Sequence, residues 1–236
     1  MDEISARNEG DLLPARLIDG YEVFLRGRFR REQDRYRELA DHGQNPKVLL
    51  IGCCDSRVSP EVIFDADPGE IFVVRNIANL IPPYAPDGER HGTSAALEYA
   101  VKILKVAHIV VMGHAMCGGV RAYVETHTGE DVKLAPGDFI GQWISLLGAA
   151  ADKIGPRQGP IAPYAEELGR AAIIESLANL RTFPDVRGAE AAGELALHGA
   201  YFGVSDGRLF GLDAASGTFL PLAERAHAAA FTTPRF

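Results

Sequence analysis

The sequence predicts an α/β domain: a mainly parallel central sheet flanked by helices, with an antiparallel C-terminal edge strand and a helical N-terminal segment. Three observations lead there. Short, almost purely apolar runs at 47–53, 71–75 and 109–113 have the pattern of strands covered on both faces. Segments of helical periodicity lie between and after them, the alternation of a parallel sheet. Two further strand-like runs, 194–202 and 207–212, flank Ser205-Asp206-Gly207, a hairpin signal.

Residues 12–39 carry Leu13, Leu17, Tyr21, Phe24, Phe29 and Tyr36 at roughly helical spacing, interrupted at Gly20 and Gly27. They read as one or two amphipathic helices. Asp41-His42-Gly43-Gln44-Asn45-Pro46 closes them with loop signals. Thr93 or Ser94 is placed to cap a helix whose apolar side includes Leu97, Val101 and Leu104. Residues 139–153 and 164–181 read as helices, joined by a Pro/Gly-rich connector at 156–163. The alanine-rich stretch at 226–230 reads as part of a tail. The whole, 1–236, is expected to be one domain: 1–43 helical, 44–213 the α/β core, 214–236 the tail.

With 236 residues, 47% hydrophobic and 24% charged, the chain is long enough to bury one sizeable core without staples. A net charge of −8 argues against a nucleic-acid or anionic-membrane partner. The local run of arginines from Arg26 to Arg37 is interleaved with Glu32, Asp34 and Glu38, the pattern of a solvated helix face. The acidic start has no apolar core of a secretory signal, and the apolar runs are too short to span a bilayer. Three cysteines, an odd number, do not suggest a disulfide framework. A reducing, cytoplasmic setting is expected, where grouped cysteines bind metal or do chemistry.

The chemistry concentrates in Gly52-Cys53-Cys54-Asp55-Ser56-Arg57 and Gly113-His114-Ala115-Met116-Cys117-Gly118-Gly119, each directly after a predicted strand. Loops at the carboxyl ends of parallel strands converge on one edge, where ligands bind. His114 and Cys117, three apart where a strand turns into a helix, suit one metal centre, and a helix amino terminus favours the thiolate form. Cys53 completes two sulfurs and one imidazole and leaves a fourth position open. Neighbouring side chains on a strand point oppositely, so Cys54 is expected to pack elsewhere. Asp55 and Arg57 form a pair that beside a metal either ligates or accepts a proton. Gly118 and Gly119 let backbone approach closely.

The spacing Cys-x-Asp-Ser-Arg followed by His-x-x-Cys-Gly-Gly resembles the zinc signature of the β-class carbonic anhydrases. The likeness extends to residues 67–79, 91–101, 176–184 and 197–202, and so covers most of 44–212. It implies one zinc ion per subunit on Cys53, His114 and Cys117, with Asp55 and Arg57 as a dyad beside it. It also implies an α/β subunit in a homodimer or higher homo-oligomer, with the N-terminal helical arm on the partner. Some bacterial members place a tryptophan three residues before the first cysteine and close the site with the aspartate; here that position is Leu50. Gln44, Phe72 and Tyr99 match in spacing the substrate pocket of the plant-type branch, a pocket shared between subunits, and Gly118 belongs to the same implied substrate site.

The implied reaction is zinc-dependent, reversible hydration of carbon dioxide to bicarbonate and a proton, hydroxide made at the metal attacking carbon dioxide while the Asp–Arg dyad orients it. A carbon disulfide or carbonyl sulfide hydrolase on the same scaffold is an alternative. A non-catalytic zinc-stabilised domain, with Asp55 as fourth ligand, is another. A zinc alcohol dehydrogenase, which also uses two cysteines and a histidine, would need a Gly-x-Gly-x-x-Gly fingerprint that this sequence lacks.

Overall fold

A computed structural model describes residues 12–129 and 137–222. The chain divides into two compact units, Met1–Gln44 and Asn45–Phe236. The alanine-rich stretch at 226–230 lies outside the described residues.

The first unit is a helical pair, α1 (Ala15–Arg26) and α2 (Arg28–His42). Gly20 does not interrupt α1; the break falls at Gly27 alone, whose N–H still closes on the Val23 carbonyl. Phe24, Phe29 and Tyr36 hold the pair together, with ring centroids 5.3 to 6.0 Å apart. Neither helix has a fully buried residue, and Leu13, Leu17 and Tyr21 are more than half exposed.

The second unit is built on a six-stranded sheet in the order β2-β1-β3-β4-β5-β6. Its strands are β1 (Val48–Cys53), β2 (Ile71–Asn76), β3 (His108–His114), β4 (Ala196–Phe202), β5 (Leu209–Asp213) and β6 (Thr218–Pro221). The first four are parallel; β5 and β6 are antiparallel additions at one edge. Strand β6 falls inside the segment expected as a tail. It is four residues long and ends in proline, which only an edge position tolerates. The turn before it is held by Asp213, whose carboxylate accepts from the Ser216 hydroxyl and backbone N–H.

Around the sheet stand helices α3 (Pro60–Ile63), α4 (Gly92–Glu98), continued by a π-helical segment Tyr99–Leu104, α5 (Gly118–Thr128), α6 (Phe139–Ile144), α7 (Gly148–Ile154), α8 (Ile161–Leu180) and α9 (Pro184–Ala191), with a 3-10 turn at Ile77–Asn79. On one face of the sheet Leu49, Ile51, Ile109 and Val111 pack in one cluster with Ile173, Leu177 and Leu180 of α8. Leu50, Met112 and Ala200 form a smaller buried cluster with Ile63 against them. Strands covered on both faces lose polar–apolar alternation, which is why β1 reads as a continuous apolar run.

Two local expectations need correction. The helix expected from 139 to 153 is broken by a 3-10 turn at Ser145–Leu147, where the Ser145 hydroxyl donates to the Gln142 carbonyl. Neither Thr93 nor Ser94 caps α4. The helix starts at Gly92 with His91 as its cap residue, and Thr93 Oγ1 instead accepts from Asn76 Nδ2 at 3.3 Å.

Candidate metal centre

Strands β1 and β3 are parallel neighbours with Gly52 opposite Met112, so their carboxyl ends deliver Cys53 and His114 to the same edge. Cys117 follows after a tight turn and stands at the N-cap of α5, where the helix dipole favours a thiolate. The turn requires Met116 in the left-handed region at φ 55°.

The three side chains converge. Their ligating atoms all lie within 4.8 Å of one another, and all three residues are buried. Cys53 Sγ and Cys117 Sγ are 3.9 Å apart. Two sulfurs at zinc–thiolate bond lengths on a tetrahedral ion would be about 3.8 Å apart. His114 Nδ1 bonds the Ala115 carbonyl at 2.9 Å and so carries the proton. That leaves Nε2 with a bare lone pair, buried and without a hydrogen-bond partner. An orphaned buried nitrogen costs about 1–3 kcal/mol, a cost that metal ligation removes. Two thiolates and one imidazole form a set suited to zinc.

The sulfurs titrate as a pair. The hydrogen bond from Cys117 holds the Cys53 thiol well below its ordinary value against the effect of burial, helped by His114 and by the N–H groups of Asp55 and Ala78. The same contact, with burial, pushes Cys117 upward, while the N–H groups of Val120 and Gly119 pull it down.

Asp55 sits at the mouth of this cluster, its Oδ2 3.9 Å from His114 Nε2. Arg57 grips it from two directions: Nε donates to Oδ1 at 2.9 Å, Nη2 to Oδ2 at 2.7 Å, and the Arg57 backbone N–H to Oδ1 at 3.0 Å. These bonds hold the Asp55 carboxyl far below the usual carboxylate range. Arg57 Nη2 also reaches the Met116 carbonyl at 3.1 Å and so ties together the two loops that carry the convergent side chains. A cavity of about 720 Å³ opens beside Cys117, with Arg57, Met116, Arg121 and Glu166 among its walls.

Three supporting groups escaped the sequence reading. Arg75, in a segment quoted for its resemblance but given no role, donates to the carbonyls of Cys53 at 2.8 Å and Asp55 at 2.7 Å. Ala78 and Asn79 occupy consecutive left-handed positions at φ 61° and 49°, and both are buried. Trp143 Nε1 donates to the Ile77 carbonyl at 2.8 Å and steadies that turn. The turn explains Gly119: a Cβ there would come within 2.6 Å of Ile77 Cγ2 and 3.2 Å of Ala78 Cβ. At Gly118 a Cβ would meet open space, so close packing does not require a glycine there.

Cys54 lies outside the convergent group, as expected, but is exposed rather than packed. Gln44 is exposed at the end of the first unit. Phe72 and Tyr99 do lie together, with ring centroids 5.9 Å apart. However, Phe72 is paired with Leu49, four residues before Cys53, and so about 13 Å down the strand from the metal ligands.

Residues 48–209 match the family model described as Carbonic anhydrase. A carbonic anhydrase of Pseudomonas aeruginosa is 38% identical over 209 residues, which span 88% of this chain and 91% of that protein. The fold is similar to that of the β-carbonic anhydrase CcaA, with a TM-score of 0.78 at 29% identity over 89% of this chain and 92% of that one. One of two tetrameric β-carbonic anhydrases from Sordaria macrospora gives a TM-score of 0.71 at 28% identity, over 85% of this chain and 96% of its own. Sequence likeness over most of the length and a shared fold lead to one conclusion: this chain belongs to the carbonic anhydrases, a family of lyases, and to their β class.

Proposed function

We propose that the chain catalyses reversible hydration of carbon dioxide to bicarbonate and a proton, using a zinc ion held by Cys53, His114 and Cys117. The observation that carries this reading is the orphaned lone pair of His114 Nε2, buried beside two sulfurs at zinc-like separation. Zinc there would supply a Lewis acid that makes water a nucleophile near neutral pH.

The chain's own groups do the rest. Asp55, ionised and fixed by Arg57, accepts a hydrogen bond from the attacking water and keeps its lone pair turned toward carbon dioxide. Both Asp55 oxygens are already engaged by Arg57, which favours this role over a fourth-ligand role and so disfavours a purely structural metal. Gln44, Phe72 and Tyr99 line the substrate pocket, with the backbone at Gly118 beside it. The distance of Phe72 from its own chain's ligands supports a reading in which a second copy supplies these rings. A homodimer or larger homo-oligomer is the working unit in this reading, which the tetrameric Sordaria macrospora relative supports. A cytoplasmic location accompanies it, consistent with three free cysteines and with no described helix long and apolar enough to cross a membrane.

The test is oxygen-isotope exchange between carbon dioxide and water. The zinc-loaded protein is expected to exchange rapidly and the chelator-treated protein at the uncatalysed rate. Zinc-loaded protein with no exchange between about pH 7 and 9 refutes the proposal.

A further inference from the structure

The structure assigns a second metal site, separate from the catalytic centre, to the imidazoles of His108 and His198. His108 is the first residue of β3 and His198 the third of β4. The parallel register pairs His108 with Ala196 and Val110 with His198, which puts both imidazoles on one face of the sheet, two positions apart. Both residues are exposed. His108 Nδ1 and His198 Nε2 stand 3.1 Å apart, with ring centroids 5.2 Å apart.

Without metal this pair is a hydrogen bond in which one facing nitrogen carries a proton and the other does not. The same separation also suits a shared ion. Two nitrogens 3.1 Å apart, each at the usual bond length of about 2.0–2.1 Å, subtend about 98° at the metal. That angle is close to the tetragonal geometry of Cu²⁺ or Ni²⁺, and water fills the remaining positions on the exposed side. Both rings stay neutral on binding: the ring whose proton faces its neighbour moves it to the far nitrogen. Burial and the neighbouring His108 hold His198 below the ordinary imidazole value, which favours the neutral form that ligates. The ligand is therefore a borderline divalent transition-metal ion. His114 lies six positions after His108 on β3, about 20 Å along the strand, so the two sites do not share a ligand.

The test uses the full-length, zinc-loaded protein, titrated calorimetrically with Ni²⁺ at about pH 7.5, where neutral imidazole dominates. The wild type is expected to bind one equivalent that both His198→Gln and His108→Asn lose, with zinc content and circular dichroism unchanged. Each amide replaces the facing nitrogen with a group that still hydrogen-bonds, so the variants separate chelation from the hydrogen bond. An equivalent that persists in either variant, or a wild type that binds none, overturns the proposal.

Discussion

At the carboxyl edge of the sheet His114 is 2% exposed and its Nε2 has no hydrogen-bond partner, whereas toward the amino edge His108 and His198 stand in solvent and satisfy each other. The backbone divides in the same way. Met116, Ala78 and Asn79 hold left-handed conformations around the metal cluster; among the described residues the other two non-glycine cases are Lys105, a helix C-cap, and Asp65, just after α3. Strained non-glycine residues cost about 1–3 kcal/mol each, and so does an unsatisfied buried nitrogen. Three of these five residues thus gather at the carboxyl edge, beside the unsatisfied nitrogen. The costs gather where three ligands must be held in place before any ion arrives, so the ion meets a preorganised site.

The largest test of that contrast is removal of a ligand. Cys53→Ser is expected to reduce bound metal to background, while Cys54→Ser, at an exposed position one residue away, retains it in full; elemental analysis after dialysis decides. Equal retention by both would erase the distinction. A smaller loss is expected from Asp55→Asn, which leaves the three ligands intact. It should keep its metal and lower kcat/KM by about 10²-fold, as stopped-flow hydration assays would measure. Because Arg57 depresses the Asp55 pKa, the stabilising pair is fully present above the unfolded carboxyl's value of about 4 and is lost only as pH falls through the lower folded value. Asp55 therefore contributes no limb to the activity profile in the working range. Two thiolates reduce the charge of the metal, so kcat/KM should climb from about pH 6 toward 9; a flat profile contradicts this.

The smallest effect separates two adjacent glycines. Gly119→Ala forces a Cβ against Ile77 and buried Ala78 and should cost about 1–3 kcal/mol in urea unfolding. Gly118→Ala meets open space in the first turn of α5 and should be neutral or stabilising by up to about 1 kcal/mol. A reversed order would mean that the turn at Ala78 yields to the added methyl and does not brace the site.

Cys53 and His114 were legible because each ends an apolar run, and a covered strand announces its own end; Cys117 was legible by its spacing of three from His114. The parallel register then brings Cys53 and His114 together without further information. Arg75 was not legible as a supporting group: its partners are backbone carbonyls, and no residue type in the sequence marks which carbonyls a guanidinium will reach. The left-handed turn at Ala78 and Asn79 was hidden for a related reason, since alanine carries no preference for that conformation and tertiary packing imposes it. Strand β6 was lost to its brevity and its proline, and the break after α6 to a serine that bonds its own helix. Phe72 and Tyr99 show the converse. Their spacing suggested a pocket, and within one chain they meet each other rather than the metal ligands.

Trp143 is the chain's single tryptophan, and its indole N–H is tied to the Ile77 carbonyl, one residue from the turn that supports the metal cluster. All indole fluorescence from this protein therefore originates beside the active centre. Loosening of that turn, whether by Gly119→Ala or by metal loss, should appear as a red shift of one emission band, an optical gauge that needs no added label.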